Sequence, residues 1–290
     1  MKNIPKISIV TPSYNQSRYL DQTINSILSQ NYPSVEYIIM DGGSTDGSVD
    51  IIKKYAHRLA HWECRKDNGQ ADAIYRGFEK ATGDILCWIN SDDFLLNGAL
   101  MRVAEMFRRF PDAQWLIGGC VIVRESGKPI TKFFGYTPTF ESLLCAGMQF
   151  FQMSCFWKRN AFFKVGGFDC SLQFCFDYDL FLRLCEAGPP AVSHRILSAC
   201  RMHPASKSST IWETIGLQER EFLRQRFGIN RFSEKEQKEI AAATKWELDC
   251  IDRHYYWLDI VLDPWYFVKS IVAHLRNYFL EKMARQTVKG

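Results

Sequence analysis

Residues Gly83 to Asp93 read GDILCWINSDD, and the other motifs of the chain are best understood in relation to this segment. A short apolar run ends abruptly in an amide, a hydroxyl and two adjacent carboxylates. The run has the character of a buried strand, so Asp92 and Asp93 should lie just past its carboxyl end, where open α/β sheets bind ligands. Two neighbouring acids repel each other, which favours a cation or hydrogen-bond donors between them and an anionic ligand. The alternative is a solvated turn that opens the next helix.

The composition is that of an ordinary globular protein. The chain has 290 residues, 47% of them hydrophobic and 23% charged, with a formal net charge of +4. These values suit one large domain, or one domain with an appendage, and they disfavour a disordered chain. The weak basic charge does not indicate nucleic-acid binding, although it would suit an anionic substrate or an anionic membrane surface.

The ten cysteines lie scattered through apolar runs, and no secretory signal opens the sequence. We therefore expect reduced cysteines in a cytosolic protein. Neither a cysteine pair nor a Cys/His cluster has the spacing of a zinc site. The sequence also has no apolar run of about 18 residues, so we expect no membrane-spanning segment.

Strands and helices alternate along the first part of the chain. Short β-like runs end in polar loops, and each loop precedes apolar residues at helical spacing. The β-like runs are residues 6–10, 36–40 and 59–65, and the helices are residues 20–30, 49–55 and 71–81. This order predicts a mainly parallel sheet with helices on both faces and four polar loops at one edge. Asn97 is predicted to cap the next helix, which runs through Leu100 and Phe107.

The second part of the chain changes character. Residues 115–134 are predicted to form a hairpin, and residues 192–202 a later strand. A helix that begins near residue 176 places Asp177 in its first turn, although an acid at that place, Asp179 included, is often only a cap or a dipole partner.

Two further segments leave alternatives open. The polar loop from His203 to Ser209 is either a surface turn or a lid over a phosphate group. From Ile211 the chain is predicted to be helical. Residues 264–290 combine basic and aromatic residues, which suits either an anionic membrane surface or docking on the protein's own domain.

Five motifs, taken together, resemble family 2 glycosyltransferases. They are Thr11-Pro12-Ser13-Tyr14-Asn15, Asp41-Gly42-Gly43-Ser44-Thr45-Asp46-Gly47, Asp67-Asn68-Gly69-Gln70, Asn90-Ser91-Asp92-Asp93 and Gly166-Gly167-Phe168-Asp169. The resemblance covers about residues 5–210 and implies a GT-A (Rossmann-like) α/β fold with a mainly parallel central sheet flanked by helices. We accordingly predict a catalytic domain at residues 1–210 and a C-terminal helical extension at residues 211–290.

The resemblance also implies an activity and its reactants. It implies a metal-dependent, inverting glycosyltransferase that moves a hexose from a nucleotide donor, with UDP as the expected nucleotide, to a hydroxyl group. The acceptor would be a saccharide or a lipid-linked saccharide, as in the bacterial branch that builds O-antigen and other surface polysaccharides. Such an enzyme would work in the cytoplasm, at the inner face of the cell membrane, and would not need nucleic acid.

Residue roles follow from the same resemblance. Nucleotide-binding residues would be Thr11, Pro12, Ser13, Tyr14, Asp41, Ser44, Asp67, Gln70, Asp72, Asn90 and Ser91. Asp93 would lie near the donor sugar, while Asp92 and His203 would hold Mn²⁺ or Mg²⁺. The loop with Ser206 and Lys207 would cover the diphosphate. Asp177 would be the general base, or Asp179 if the alignment slipped by two residues.

The sequence departs from the family pattern at three places. The usual Asp-Asp-Gly-Ser is here Asp41-Gly42-Gly43-Ser44, Asn90 replaces the first acid of Asp-x-Asp, and Phe176-Asp177 replaces Glu-Asp. Two rival functions remain at this point: a sugar-nucleotide pyrophosphorylase, and a non-catalytic module that binds a nucleotide sugar or a carbohydrate. A pyrophosphorylase would carry a glycine- and arginine-rich loop after the first strand, and this chain does not.

Overall fold

The computed structural model describes residues 4–262 of the chain. The chain divides into two compact units, with the boundary between Thr244 and Lys245. The predicted division of function at residue 210 stays a prediction. The segment 264–290, for which membrane contact was considered, lies outside the described residues.

Within the described residues, one nine-stranded sheet forms the centre of the first unit. The strands are β1 (Ile7–Ser13), β2 (Val35–Asp41), β3 (His61–Cys64), β4 (Ile85–Trp88), β5 (Phe94–Leu95), β6 (Trp115–Arg124), β7 (Pro129–Phe133), β8 (Cys155–Lys158) and β9 (Ala191–Met202). Their order is β3-β2-β1-β4-β8-β6-β9-β5, and β7 pairs with β6.

Helices follow most of the strands, as the alternating pattern predicts. They are α1 (Ser17–Leu28), α2 (Ser48–Tyr55), α3 (Gln70–Lys80), α4 (Ala99–Arg109), α5 (Phe140–Ala146), α6 (Arg159–Lys164), α7 (Phe176–Ala187), α8 (Lys207–Thr210), α9 (Leu217–Arg226) and α10 (Glu234–Leu262). The predicted α/β architecture is confirmed. The helix α7 also has Asp177 in its first turn, as predicted.

The sheet has two parts with different strand directions. Strands β1 to β4 run parallel, as predicted. Strand β8 then runs antiparallel to both β4 and β6, while β6 and β9 are parallel. The predicted hairpin is confirmed by the antiparallel pairing of β6 with β7. The sheet is therefore mixed beyond β4, and the carboxyl ends of β1, β2 and β4 meet on one side.

The packing of α3 on the sheet is unusually close. A Cβ atom at Gly77 would lie 2.5 Å from Val10 Cγ1 and 3.2 Å from Met40 Cγ, so only glycine fits at this contact. Ile7 and Ile9 of β1, which are fully buried, belong to the main apolar cluster. This packing holds the first residue of α3, Gln70, above the edge where the loops meet.

One local prediction is wrong. Asn97 does not cap α4, because the helix begins at Ala99 and its N-cap residue is Gly98, with a φ of 78°. This left-handed conformation favours glycine, and it turns the chain into the helix without a side-chain cap.

Two further observations concern the cysteines and the lengths of the helices. The ten cysteines all lie within the described residues and are free thiols. Among residues 4–262, no helix is long and apolar enough to span a membrane.

Candidate active site

The polar loops that follow β1, β2 and β3 join at the carboxyl edge of the sheet. The backbone N–H of Asn15 donates to Ser44 Oγ at 2.8 Å, and the N–H of Thr45 donates to Asn15 Oδ1 at 2.9 Å. The third loop approaches so closely that a Cβ atom at Gly42 would lie 2.6 Å from Asp67 Oδ2. The gathering of these predicted loops at one edge is thus seen in the structure.

Asp41 is fully buried at the end of β2. Its carboxylate accepts hydrogen bonds from the N–H of Gly43 at 3.1 Å, from the N–H of Ser44 at 2.8 Å and from Ser44 Oγ at 2.7 Å. The side chain therefore shapes its own loop, since it binds the donors of the turn that follows it.

The residues at the end of β1 and directly after it differ in what they offer to a ligand. Thr11 is fully buried, and its hydroxyl accepts a hydrogen bond from Tyr37 at 3.0 Å, whereas the side chain of Tyr14 is 63% exposed. Pro12 is buried between them. Ser13 Oγ is buried and has no hydrogen-bond partner among the described residues. A buried hydroxyl without a partner is costly, so Ser13 Oγ is a candidate contact for a bound polar ligand.

A chain of hydrogen bonds links the third loop, the β4 loop and α8. Gln70 Nε2 donates to Asn90 Oδ1 at 2.8 Å, and Lys207 Nζ donates to Gln70 Oε1 at 2.9 Å. Asp72 instead accepts from the N–H of Asn68 at 3.1 Å and lies 3.3 Å from Arg76 Nε. Of these predicted nucleotide residues, the structure joins Gln70 and Asn90, while the side chain of Asp72 is engaged within its own loop and helix.

The two predicted metal ligands are neighbours. His203 Nε2 lies 3.0 Å from Asp92 Oδ2, and the imidazole packs on Tyr19 with ring centroids 4.7 Å apart. The described residues contain no group of three or more His, Cys, Asp or Glu side chains that could hold a metal ion. Asp92 and His203 nevertheless fit a divalent cation whose other ligands are phosphate oxygens and water, because Mg²⁺ sites commonly use one or two carboxylates together with substrate phosphates.

Asp93 is buried beside Asp92. Burial and the neighbouring Asp92 charge raise the pKa of Asp93 well above its usual range. The backbone N–H of Arg201 donates to Asp93 Oδ1 at 2.9 Å, and Asn90 Nδ2 donates to Asp93 Oδ2 at 3.2 Å. The main chain of this turn is also held, since the Thr23 hydroxyl lies 2.9 Å from the carbonyl of Ser91 and 2.7 Å from that of Asp93.

Arg201 is a buried site residue that sequence reasoning missed. Its guanidinium donates to the carbonyls of Asp92 at 2.9 Å and Glu125 at 2.7 Å, and to Gln22 Oε1 at 2.6 Å. The available signal was an arginine inside a β-like run, which must find partners if it is buried. Arg201 thereby connects β9 to the turn that carries both acids.

The two candidate bases on α7 have different surroundings. Burial raises the pKa of Asp177 to about 6, although the N–H of Tyr178 and the ammonium of Lys207 oppose the shift. Asp179 is fully buried, and its carboxylate accepts from Arg183 Nε at 3.0 Å and lies 3.6 Å from Arg226 NH1. Asp179 is therefore a member of an ion-pair cluster, whereas Asp177 is half-buried with a raised proton affinity.

The loop after β9 ends in the short helix α8. Ser206 is its N-cap residue, and its hydroxyl lies 2.7 Å from Ser209 Oγ and accepts from the Ser209 N–H at 3.3 Å. Lys207 Nζ lies 5.5 Å from the centroid of the Phe176 ring. Burial lowers the pKa of Lys207, while Asp177 and Glu219 act to raise it.

Comparison with known proteins gives a family match over more than half of the chain. The sequence model described as "Glycosyl transferase family 2" matches residues 8–169. An uncharacterized glycosyltransferase of Haemophilus influenzae is 42% identical over 103 residues, which are 34% of this chain and 41% of the relative. The putative teichuronic acid biosynthesis glycosyltransferase TuaG of Bacillus subtilis is 32% identical over 132 residues, which are 44% of this chain and 52% of that protein. These matches thus span about half or less of each relative.

Solved structures share the fold at low sequence identity. The crystal structure of S. aureus TarS 1-349 in complex with UDP-GlcNAc has a TM-score of 0.60 and 17% identity, covering 82% of this chain and 71% of that one. The mannosyltransferase PcManGT from Pyrobaculum calidifontis, in complex with GDP-Man and Mn²⁺, has a TM-score of 0.57 and 17% identity. This match covers 98% of this chain and 83% of the mannosyltransferase chain.

Proposed function

Because this chain belongs to glycosyl transferase family 2 and has a GT-A fold, we propose that it catalyses inverting transfer of a sugar from a UDP-sugar to a hydroxyl acceptor. The acceptor would be a saccharide or a lipid-linked saccharide in the synthesis of O-antigen or another surface polysaccharide. The main support for this proposal is the arrangement at the sheet edge. There Asp92 contacts His203, and the positive charge of Lys207 acts on the carboxylate of Asp177.

The nucleotide would bind where the first four loops meet. Ser13 Oγ, which has no hydrogen-bond partner among residues 4–262, and the linked pair of Gln70 and Asn90 offer hydrogen bonds to the nucleoside. Asp41 would then act by holding its loop and by presenting its carboxylate to the base. The complexes of TarS with UDP and UDP-GlcNAc, and of PcManGT with GDP-Man, support a nucleotide-sugar donor.

The diphosphate would lie between Asp92, His203 and Lys207. Asp92 and His203 would hold Mn²⁺ or Mg²⁺, and the bound ion would supply Lewis-acid stabilisation of the leaving group. The ammonium of Lys207, placed by Gln70 and by the Phe176 ring, adds positive charge on the same side. Asn90, which replaces an acid of the usual motif, joins Gln70 to Asp93 through its amide without adding negative charge near the phosphates.

The transfer itself is a single displacement at the anomeric carbon. The acceptor oxygen forms a bond to this carbon as the bond from the carbon to the diphosphate oxygen breaks. The acceptor proton passes to the carboxylate of Asp177, whose pKa of about 6 leaves it mostly ionised at neutral pH yet more basic than an ordinary aspartate. Asp179 cannot serve this purpose readily, since Arg183 and Arg226 surround its carboxylate.

Thermal unfolding with nucleotides tests the proposal without any knowledge of the acceptor. Purified protein would be unfolded with UDP, GDP, CDP or dTDP, each with Mn²⁺ or with a chelator. A ligand at about a hundredfold over its dissociation constant stabilises the folded state by roughly 2.7 kcal/mol, which raises the midpoint by several degrees. We expect the largest rise with UDP and Mn²⁺.

Asp92→Asn is the matched control for this experiment. The substitution keeps the size of the side chain but removes the carboxylate, so the metal-dependent part of the rise should disappear. If no nucleotide raises the midpoint of the wild-type protein, a nucleotide-sugar transferase is the wrong function for this chain.

A further inference from the structure

A carboxylate on α9 binds the backbone just before α7. Glu219 Oε1 accepts from the N–H of Gln173 at 2.6 Å, and Glu219 Oε2 accepts from the N–H groups of Phe174 and Cys175, both at 2.8 Å. Successive N–H groups that converge in this way form a natural anion-binding concavity. Here the protein fills that concavity with its own side chain.

Further contacts hold residues 212–219 against the loop formed by residues 173–175. Cys175 Sγ donates to the carbonyl of Gly216 at 3.4 Å, and the rings of Phe174 and Trp212 lie 5.5 Å apart. A Cβ atom at Gly216 would lie 2.6 Å from Trp212 Cε3 and 3.2 Å from Phe174 Cδ1. The contact between residues 212–219 and the loop is therefore close-packed, and Glu219 supplies its charged part.

The start of α7 determines where Asp177 lies. Asp177 is in the first turn of this helix, and the N–H of Tyr178 donates to its Oδ1 at 2.7 Å. A change at residues 173–175 would rotate or shift this first turn. A displacement of about 1 Å at a reacting group can cost up to about a hundredfold in rate.

Glu219 also acts on Asp177 through its charge. The groups that face Asp177 are Lys207 of α8, Glu219 of α9, and the thiols of Cys155 on β8 and Cys175 before α7. Burial is the main cause of the raised pKa of Asp177, Lys207 opposes it, and Glu219 adds to it.

We propose that Glu219 is a positioning residue for the sugar transfer, which holds the first turn of α7 in place and adds negative charge beside the carboxylate of Asp177. This inference rests on the proposed function, because it assigns Asp177 to the acceptor proton. The competing interpretation is that Glu219 only stabilises the fold.

The test compares Glu219→Gln with Glu213→Gln. Glu213 is an exposed carboxylate on the same segment, so its substitution controls for a change in net charge. The pH profile of kcat/KM would be measured with the UDP-sugar that gives turnover, starting with UDP-GlcNAc. For Glu219→Gln we expect kcat to fall about tenfold with little change in KM for the donor, and the acid limb to move to lower pH. Glu213→Gln should keep the wild-type profile.

A third variant separates the effect of the negative charge from the effect of the hydrogen bonds to residues 173–175. Glu219→Asp keeps the negative charge but is too short to accept from all three N–H groups. Its acid limb should stay near that of the wild type while kcat remains low. If the acid limb of Glu219→Gln does not move, or if both Gln variants behave alike, Glu219 is only a structural residue.

A direct titration keeps this inference distinct from the proposed function. The ¹³C signal of the Asp177 carboxyl, assigned with Asp177→Asn, would be followed against pH in the wild type and in Glu219→Gln. A wild-type protein without transfer from any donor would overturn the proposed function. A titration of Asp177 unchanged by Glu219→Gln would overturn the electrostatic role of Glu219, and a titration at lower pH would support it.

Discussion

Buried acids at the two ends of the same sheet have opposite surroundings. At the amino end, Glu36 accepts from Ser8 Oγ at 2.5 Å and from the N–H and hydroxyl of Thr82 at 2.7 and 2.6 Å, and it lies 3.4 Å from Lys6 Nζ. Burial acts to raise the pKa of Glu36, but these hydrogen bonds outweigh it and leave the pKa below its usual value.

At the carboxyl end, burial raises the pKa values of the acids by more than the hydrogen bonds lower them. The pKa of Asp93 is raised by burial and by Asp92, and the pKa of Asp177 is raised by burial to about 6. Glu36 lies on β2, Asp93 follows β4 and Asp177 lies on α7. Hydrogen-bond donors therefore make Glu36 a structural carboxylate, whereas fewer donors leave Asp177 with a proton affinity suited to chemistry near neutral pH.

The largest expected effect is on turnover. Asp177→Asn should lower kcat by about 10²- to 10⁴-fold, because the acceptor proton loses its base. Nucleotide binding should survive, since the nucleotide loops lie on β1 to β4, and the UDP-induced rise in the unfolding midpoint would verify this. A non-catalytic binding module would show no turnover even in the wild type. If Asp177→Asn kept full activity, another residue would have to be the general base.

A substitution at the amino end of the sheet should lower the stability of the protein without changing turnover. Glu36→Gln should lower the free energy of unfolding by about 2–3 kcal/mol, because it replaces a carboxylate that accepts three hydrogen bonds. The loss would be measured by urea unfolding at pH 7, with kcat unchanged. Because the folded-state pKa of Glu36 is lowered, this stabilisation is present above the unfolded-state pKa and is lost as the pH falls through the folded-state pKa.

Lys6→Met is the control for this prediction. Lys6 is half exposed, and an exposed ion pair contributes below about 1 kcal/mol, so Lys6→Met should cost little. A loss as large as that of Glu36→Gln would show that the ion pair stabilises Glu36 more than the hydrogen bonds do.

The raised pKa of Asp177 predicts a change in stability of the opposite sign. Asp177 takes up a proton on folding between pH ~4, near its unfolded-state pKa, and its folded-state pKa of about 6. Its carboxylate therefore lowers the free energy of unfolding as the pH rises through this window. Asp177→Asn should be more stable than the wild type by about 1–2 kcal/mol at pH 8, after allowance for its partial exposure, and equal to it near pH 4. Urea unfolding at both pH values checks this, and equal stability at pH 8 would contradict the raised pKa.

Local patterns predicted much of the fold and part of the site. The strand run before Asn90 and the helical spacing after Phe176 placed Asp92 beyond β4 and Asp177 in the first turn of α7. The hairpin of β6 and β7 was also evident. These features depend on hydrophobic period and on neighbours within a few residues, which a single sequence displays directly.

Predictions that depended on a backbone conformation or on a distant partner were harder. The N-cap of α4 was assigned to Asn97 because asparagine is a common cap, although Gly98 makes the turn by its left-handed conformation. The sequence does not separate Asp177 from Asp179, because their surroundings differ through tertiary contacts: Arg183 and Arg226 lie at Asp179, and Lys207 acts on Asp177.

The family motifs, the order of strands and helices, and the acids at the carboxyl edge can therefore be read from the sequence. Which of those acids are neutralised by donors, and which keep a raised pKa, depends on the folded arrangement. A pKa is set by burial and by charges, and these come from elements far apart in the chain. Arg201 and Glu219, which hold the two acidic turns, are such distant partners.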